Sequence, residues 1–241
     1  MASTSEVGHA KNIANLNLLN TNIIALGRTY NPSNPKLKLA ELQALYNTAV
    51  AQQETVNNLV TPYAVAVNNR EAVFKPLSTE LTKLRKAYKA TEGVTPAQLE
   101  DLMTIIRKLK GQRKVKAETA TDPAAAQDRH SISQMSYDQR TNNLGLLISL
   151  LQNTPNYNPN EEAYKVATYQ DKKAKMLQTT QAVANTFIPL NNARSERNNT
   201  FYLAEDNLVS TANKAKDYLY ALLDTDSATY KAISKIKFKN R

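Results

Sequence analysis

The chain has 241 residues, with 31 Lys and Arg against 21 Asp and Glu for a net charge of +10, and it contains no cysteine. That length suffices for one large core or two smaller ones without covalent staples, and the lack of thiols excludes disulfides and thiolate metal sites. No stretch approaches the run of roughly eighteen apolar residues that a membrane span needs. The segment Met1-Ala2-Ser3-Thr4-Ser5-Glu6 has no basic start followed by an apolar run, so the expectation is a cytoplasmic protein, although a signal-free exported one would read the same way.

In chain order, the apolar residues recur by threes and fours and β-branched alternation is scarce, which predicts an all-α protein. A first helix is expected from about Ala10 to Leu26, with Ile13, Leu16, Leu19, Ile23 and Leu26 on one stripe, closed by Gly27. Tyr30-Asn31-Pro32-Ser33-Asn34-Pro35 reads as a turn because each proline pushes the residue before it out of the helical region. From Leu42 a bundle-type seam runs through Leu45, Ala49, Val56, Val60, Tyr63 and Val67 to the polar run Asn68-Asn69-Arg70-Glu71. A turn of helix without an apolar face points to a hairpin there; the alternative is one long helix bent at Pro62. A third helix, Leu77 to Thr91, should stop before Gly93, and a fourth, Ala97 to Lys110, should be capped by Thr95-Pro96 and stopped by Gly111.

The same order then repeats. Tyr30, Asn31, Pro32, Lys38, Ala40, Gln43, Val56, Asn58, Pro62, Ala66, Arg70, Phe74, Leu81 and Lys89 are each matched by the identical residue 127 positions later, fourteen identities between Tyr30 and Thr91. Upstream the spacing is 128, so that Asn15-Leu16-Asn17-Leu18-Leu19 answers to Asn143-Leu144-Gly145-Leu146-Leu147. The second set of helices should therefore begin at about Ile132 to Leu151, turn again within Asn191 to Thr200, and end with a helix from Ser227 to Lys239. The expected architecture is an internally duplicated antiparallel helical bundle of two similar units of about four helices each. Residues 1–115 and 130–241 would be the units, and 116–129, which lacks apolar periodicity, an exposed linker.

No serine-nucleophile motif, phosphate-cradling glycine loop or paired Glu/His signature is present. His9 and His130 each stand near a helix start without carboxylates at ligand spacing. The reading is a non-enzyme without catalytic, metal or cofactor residues. Two features remain. Arg70 with Phe74 and Arg197 with Phe201 form a repeat-matched pair at the turn, suited either to an anionic partner or to fixing the chain locally.

The charge excess lies entirely in two runs without acids: Arg107, Lys108, Lys110, Arg113, Lys114 and Lys116, and Lys231, Lys235, Lys237, Lys239 and Arg241. Cations near a helix end complement its dipole, but clustered ones also suit phosphates or, beside an apolar stripe, an anionic surface. These considerations rank a helical scaffold or adaptor acting through protein partners or self-association first. A nonspecific nucleic-acid binder comes second and a membrane-active helical protein third.

Overall fold

In the computed structural model residues 8–112 and 135–240 are described, and among them every regular element is helical. The helices are α1 (His9–Leu26), α2 (Leu39–Phe74), α3 (Leu77–Lys89), α4 (Pro96–Lys110), α5 (Tyr137–Gln152), α6 (Val166–Asn198), α7 (Leu208–Leu222) and α8 (Ala228–Ser234). Local chemistry sets most of the ends. Thr95 and Gln98 form a reciprocal capping box at the start of α4, and Gly111 closes it in the left-handed conformation. Ser136, Asn207 and Ser227 cap α5, α7 and α8 by accepting the backbone N–H three residues on. The expected linker, residues 116–129, and His130 lie outside the described residues.

The turn segments have the same geometry at matched positions. Short 3-10 turns occupy Pro35–Leu37 and Glu162–Tyr164, and the residues that follow, Lys38 and Lys165, share φ −61 and ψ 146. Tyr30 Oη donates to the Leu37 carbonyl at 2.7 Å, and Tyr157 Oη donates to the Tyr164 carbonyl at 2.6 Å. Each phenol thus ties down a backbone carbonyl that the loop would otherwise leave unpaired.

The hairpins expected at Asn68–Glu71 and within Asn191–Thr200 are not there. α2 continues to Phe74 and α6 to Asn198, carrying Pro62 and Pro189 inside them. The polar runs stay helical because they do have a buried face, one in which arginine takes the seam position. Ala66, Arg70 and Phe74, and likewise Ala193, Arg197 and Phe201, are spaced by four residues, so they share one stripe. In each set the alanine and the phenylalanine are buried, and Arg197 is buried with them. The chain turns later, at Lys75-Pro76 in the first case. In the second it passes through a π-helical turn, Asn199–Leu203, before turning at 204–207.

The chain forms two compact units. One joins the residues up to Tyr63 with those from Thr186 onward, and the other runs from Ala64 to Asn185. The core of the first unit brings Leu16, Leu19 and Ile23 of α1 and Leu42 and Ala49 of α2 together with Phe201, with Leu208, Ala212 and Leu219 of α7 and with Ile233 of α8. The core of the second brings Phe74, Leu77, Leu81, Leu84 and Tyr88 together with Leu102, Ile106 and Leu109 of α4, Leu144, Leu147 and Leu151 of α5, and Tyr169 and Met176 of α6. Each core therefore contains residues from both sides of the 113–134 segment.

Two predictions follow from the tyrosines. Tyr30→Phe strands the Leu37 carbonyl and should cost about 1–2 kcal/mol in urea unfolding. Tyr169 is buried and its hydroxyl has no hydrogen-bond partner among the described residues, so Tyr169→Phe should be neutral or stabilising by up to about 1 kcal/mol. The second prediction concerns pH. Burial, followed by the neighbouring Tyr218, pushes the Tyr30 phenol from its ordinary 10.0 up to about 12. Because the folded state prefers the neutral phenol, this contribution is fully present below pH 10 and is lost as pH rises through 12. The melting temperature should fall across that window, less steeply in Tyr30→Phe, in step with phenolate absorbance.

Candidate interaction surfaces

The Arg/Phe pairs lie within the packing. Arg70 stacks over Tyr137, 3.8 Å from its centroid, while Phe74 meets the same ring edge-on at 4.8 Å. Arg140, one turn along α5, donates from Nη2 to the Phe74 carbonyl at 3.0 Å and lies over the Phe74 ring. Burial lowers the Arg140 guanidinium from its ordinary value, yet arginine remains protonated in proteins. In the other unit Arg197 donates to Asn198 Oδ1, and its Nη1 reaches Gln53 Oε1 at 3.5 Å. There His9 packs edge-on against Phe201 at 5.4 Å, with its Nε2 3.3 Å from Asn198 Oδ1. With Phe74 1% and Phe201 0% exposed, neither ring offers a face to a base or other ligand. Both pairs fasten a long helix to the first turn of α5 or α1.

The two basic runs adopt different structures. In the first, Arg107 on α4 donates to Glu100 at 2.8 Å and to Thr104 at 2.7 Å, and Lys110 donates to Thr82 on α3. Lys108 is exposed, and Arg113, Lys114 and Lys116 lie outside the described residues. In the second, the helix expected to reach Lys239 ends at Ser234 and the chain continues extended. Ile236 and Phe238 point into the core while Lys235, Lys237 and Lys239 are exposed, as an alternating sequence requires of an extended chain. Arg241 lies outside the described residues.

This extended tail is held by its backbone. Asn15 Nδ2 donates to the Lys237 carbonyl at 2.8 Å and Asn12 Nδ2 to the Lys239 carbonyl at 3.0 Å. Asn12 Oδ1 accepts from the Lys239 N–H at 3.4 Å, and the buried Lys216 ammonium donates to the Ile236 carbonyl. The helical spacing of Tyr230, Ile233 and Ile236 gives no sign of this clamp. Its signals were the Ile-Lys-Phe-Lys alternation from Ile236 to Lys239, which has period two, and the asparagines set among the apolar residues of α1.

Two open clefts line the second unit. The larger, about 510 Å³, is bordered by Lys83, Lys86, Glu92, Asn156, Asn160 and Glu161 among others, and opposite charges share its rim. The smaller, about 420 Å³, lies beside Gly145, Gln170 and Lys173. Among the described residues no three His, Asp or Glu side chains gather in a way that could hold a metal ion, and no helix is long and apolar enough to cross a membrane. Of known proteins, no family model, no curated protein and no solved structure matches the chain.

Asn12→Ala and Asn15→Ala should each cost about 1–2 kcal/mol, because each leaves a tail carbonyl without its donor. Amide exchange should speed up over Lys235–Asn240 before it changes in α4 or α5. Uniform acceleration across the chain would contradict a local clamp.

Proposed function

We propose that the protein is a non-enzymatic helical scaffold, built by internal duplication, that works through protein contacts made at apolar positions shared by its two copies. One observation carries this reading. Leu18 on α1 and Leu146 on α5, paired at the 128-residue spacing, are 50% and 46% exposed, and Val60 on α2 and Phe187 on α6, paired at 127, are 40% and 44% exposed. Single exposed apolar residues are ordinary on any surface. Large apolar side chains left open at the same place in both copies are less so, even though one of them, Phe187, also meets the ring of Tyr63 at 5.8 Å. The matched loop geometry at Tyr30 and Tyr157 supports the duplication itself.

The double substitutions Leu18→Ser with Leu146→Ser, and Val60→Ser with Phe187→Ser, test the reading. Exposed positions tolerate such changes to within about 0.5 kcal/mol, and loss of the Phe187–Tyr63 ring contact adds about 0.5–1.5 kcal/mol in the second variant, so the fold should survive in both. Self-association, or capture of one defined partner by in-cell cross-linking, should weaken at least tenfold in one variant, with each single substitution giving part of the effect. Retention of every wild-type association in both variants would dismiss these positions as contact sites.

A second reading rests on Lys235, Lys237 and Lys239, all exposed along one tail with no acid between Lys231 and Arg241. On this reading the tail binds polyanions without sequence preference. Lys235→Gln, Lys237→Gln and Lys239→Gln together spare the backbone clamp. They should reduce the slope of log affinity against log salt on duplex DNA by up to about 0.9 per lost contact. Wild-type protein that ignores DNA at low salt excludes this reading.

A further inference from the structure

The two cores have a consequence for what each half of the chain can bind. Residues 8–112 supply α1 and the first part of α2 to one core, and the rest of α2, α3 and α4 to the other. Residues 135–240 supply α5 and the first part of α6 to the second core, and Phe201, α7 and α8 to the first. Taken alone, residues 8–112 would leave Leu16, Leu19 and Ile23 without α7 and α8, and Leu102, Ile106 and Leu109 without α5. Residues 135–240 would lose the complementary set.

Polar contacts divide in the same way. Asn12 and Asn15 come from one half and the carbonyls they hold from the other. Arg140 and the Phe74 carbonyl are split likewise, as are the ion-paired Lys172 and Glu80 and the ion-paired Lys36 and Asp206.

We propose that residues 8–112 and 135–240 are obligate binding partners of one another, and that these surfaces equally accept the corresponding half of a second copy of this chain. Burial of apolar stripes drives the association. The surfaces are continuous with the cores already described, and the covalent link adds only local concentration. Gly111 and Met135 lie side by side, since a methyl group added at Gly111 would meet Met135 Sδ at 2.5 Å. Cutting the chain between them therefore removes no distance that must be spanned. This inference holds whether or not the scaffold reading does, because it concerns the halves and not their external partners.

The test uses the full chain with a specific protease site inserted between Ala120 and Thr121, cleaved after folding. The two pieces should elute together as one particle with the helicity of the uncut chain. Their melting temperature should rise with protein concentration, as it must when folding and association are linked. Cleaved protein carrying heavy nitrogen, unfolded and refolded with unlabelled cleaved protein, should give native-mass particles that pair a labelled piece with an unlabelled one. Melting that is independent of concentration, whether the pieces separate as two folded species or stay unfolded, overturns the proposal. Particles of a single label after joint refolding overturn its second-copy part.

Discussion

The burial of Phe74 and Phe201 determines where the rest of each unit can go. Each ring stands at the end of a long helix, four residues beyond an arginine. It can leave water only by meeting the first turn of a helix from the other side of the 113–134 segment: α5, through Tyr137, for Phe74 and α1, through His9, for Phe201. Burying an aromatic side chain of this size is worth about 1.5–3 kcal/mol. Beyond the rings, α3 packs on α4, which packs on α5, and α7 packs on α1. The leucine stripes Leu77-Leu81-Leu84 and Leu208-Ala212-Leu219 then fall into register with them.

Arginine at the seam places its charge on an aromatic face or beside polar acceptors, at the cost of an Arg70 Nε–H that is buried without a hydrogen-bond partner among the described residues. An isolated buried cation would be prohibitive, but a guanidinium can lay its plane on an aromatic face and direct its donors along the edge. Arg70 on Tyr137 does the first; Arg197, with Asn198 and Gln53, does the second. These arginines, 127 residues apart, both serve the packing of a helix end, with different partners.

Features decided by nearest neighbours were legible in the sequence. Gly27 and Gly111 end helices in positive-φ conformations, α3 stops before Gly93 at Lys89, the box of Thr95 and Gln98 starts α4, and Ser227 starts α8 where expected. Those decided by distant partners were not. Asn68-Asn69-Arg70-Glu71 has no apolar face of its own, and its place in a continuous helix depends on Tyr137, sixty-seven residues from Arg70. The tail from Lys235 was read at helical spacing because Tyr230, Ile233 and Ile236 fit a period of three. Phe238 and the clamp on α1 favour an extended chain instead. Among the candidate cations the sequence makes no distinction, whereas in the fold Lys108, Lys235, Lys237 and Lys239 are exposed and Arg107 and Lys110 are held by Glu100 and Thr82, contacts that depend on how the helices fold.

Repeat spacing also says nothing about which copy packs against which, and here the polar residues decide. Asn12 and Asn15 are buried on α1 with amide groups that need acceptors. An extended tail has open carbonyls, whereas the carbonyls in the interior of a helix such as α4 are already used by the i to i−4 ladder. Packed against α4 of its own copy, α1 would leave two buried amides unpaired at about 1–3 kcal/mol each, on top of any misfit of the apolar stripes. Against the tail of the other copy both are satisfied. α5 differs at one of the two positions: where α1 has Asn12 it carries Arg140, which is occupied with the Phe74 carbonyl, but it keeps a buried asparagine, Asn143, at the position of Asn15, and it packs with Leu102, Ile106 and Leu109 of α4. The early end of α8, the asparagines of α1 and the arginine of α5 are therefore one set of choices. Together they give Asn12, Asn15 and the Phe74 carbonyl their hydrogen-bond partners across the two halves, while the Tyr169 hydroxyl and the Nε groups of Arg70 and Arg140 stay unpaired among the described residues.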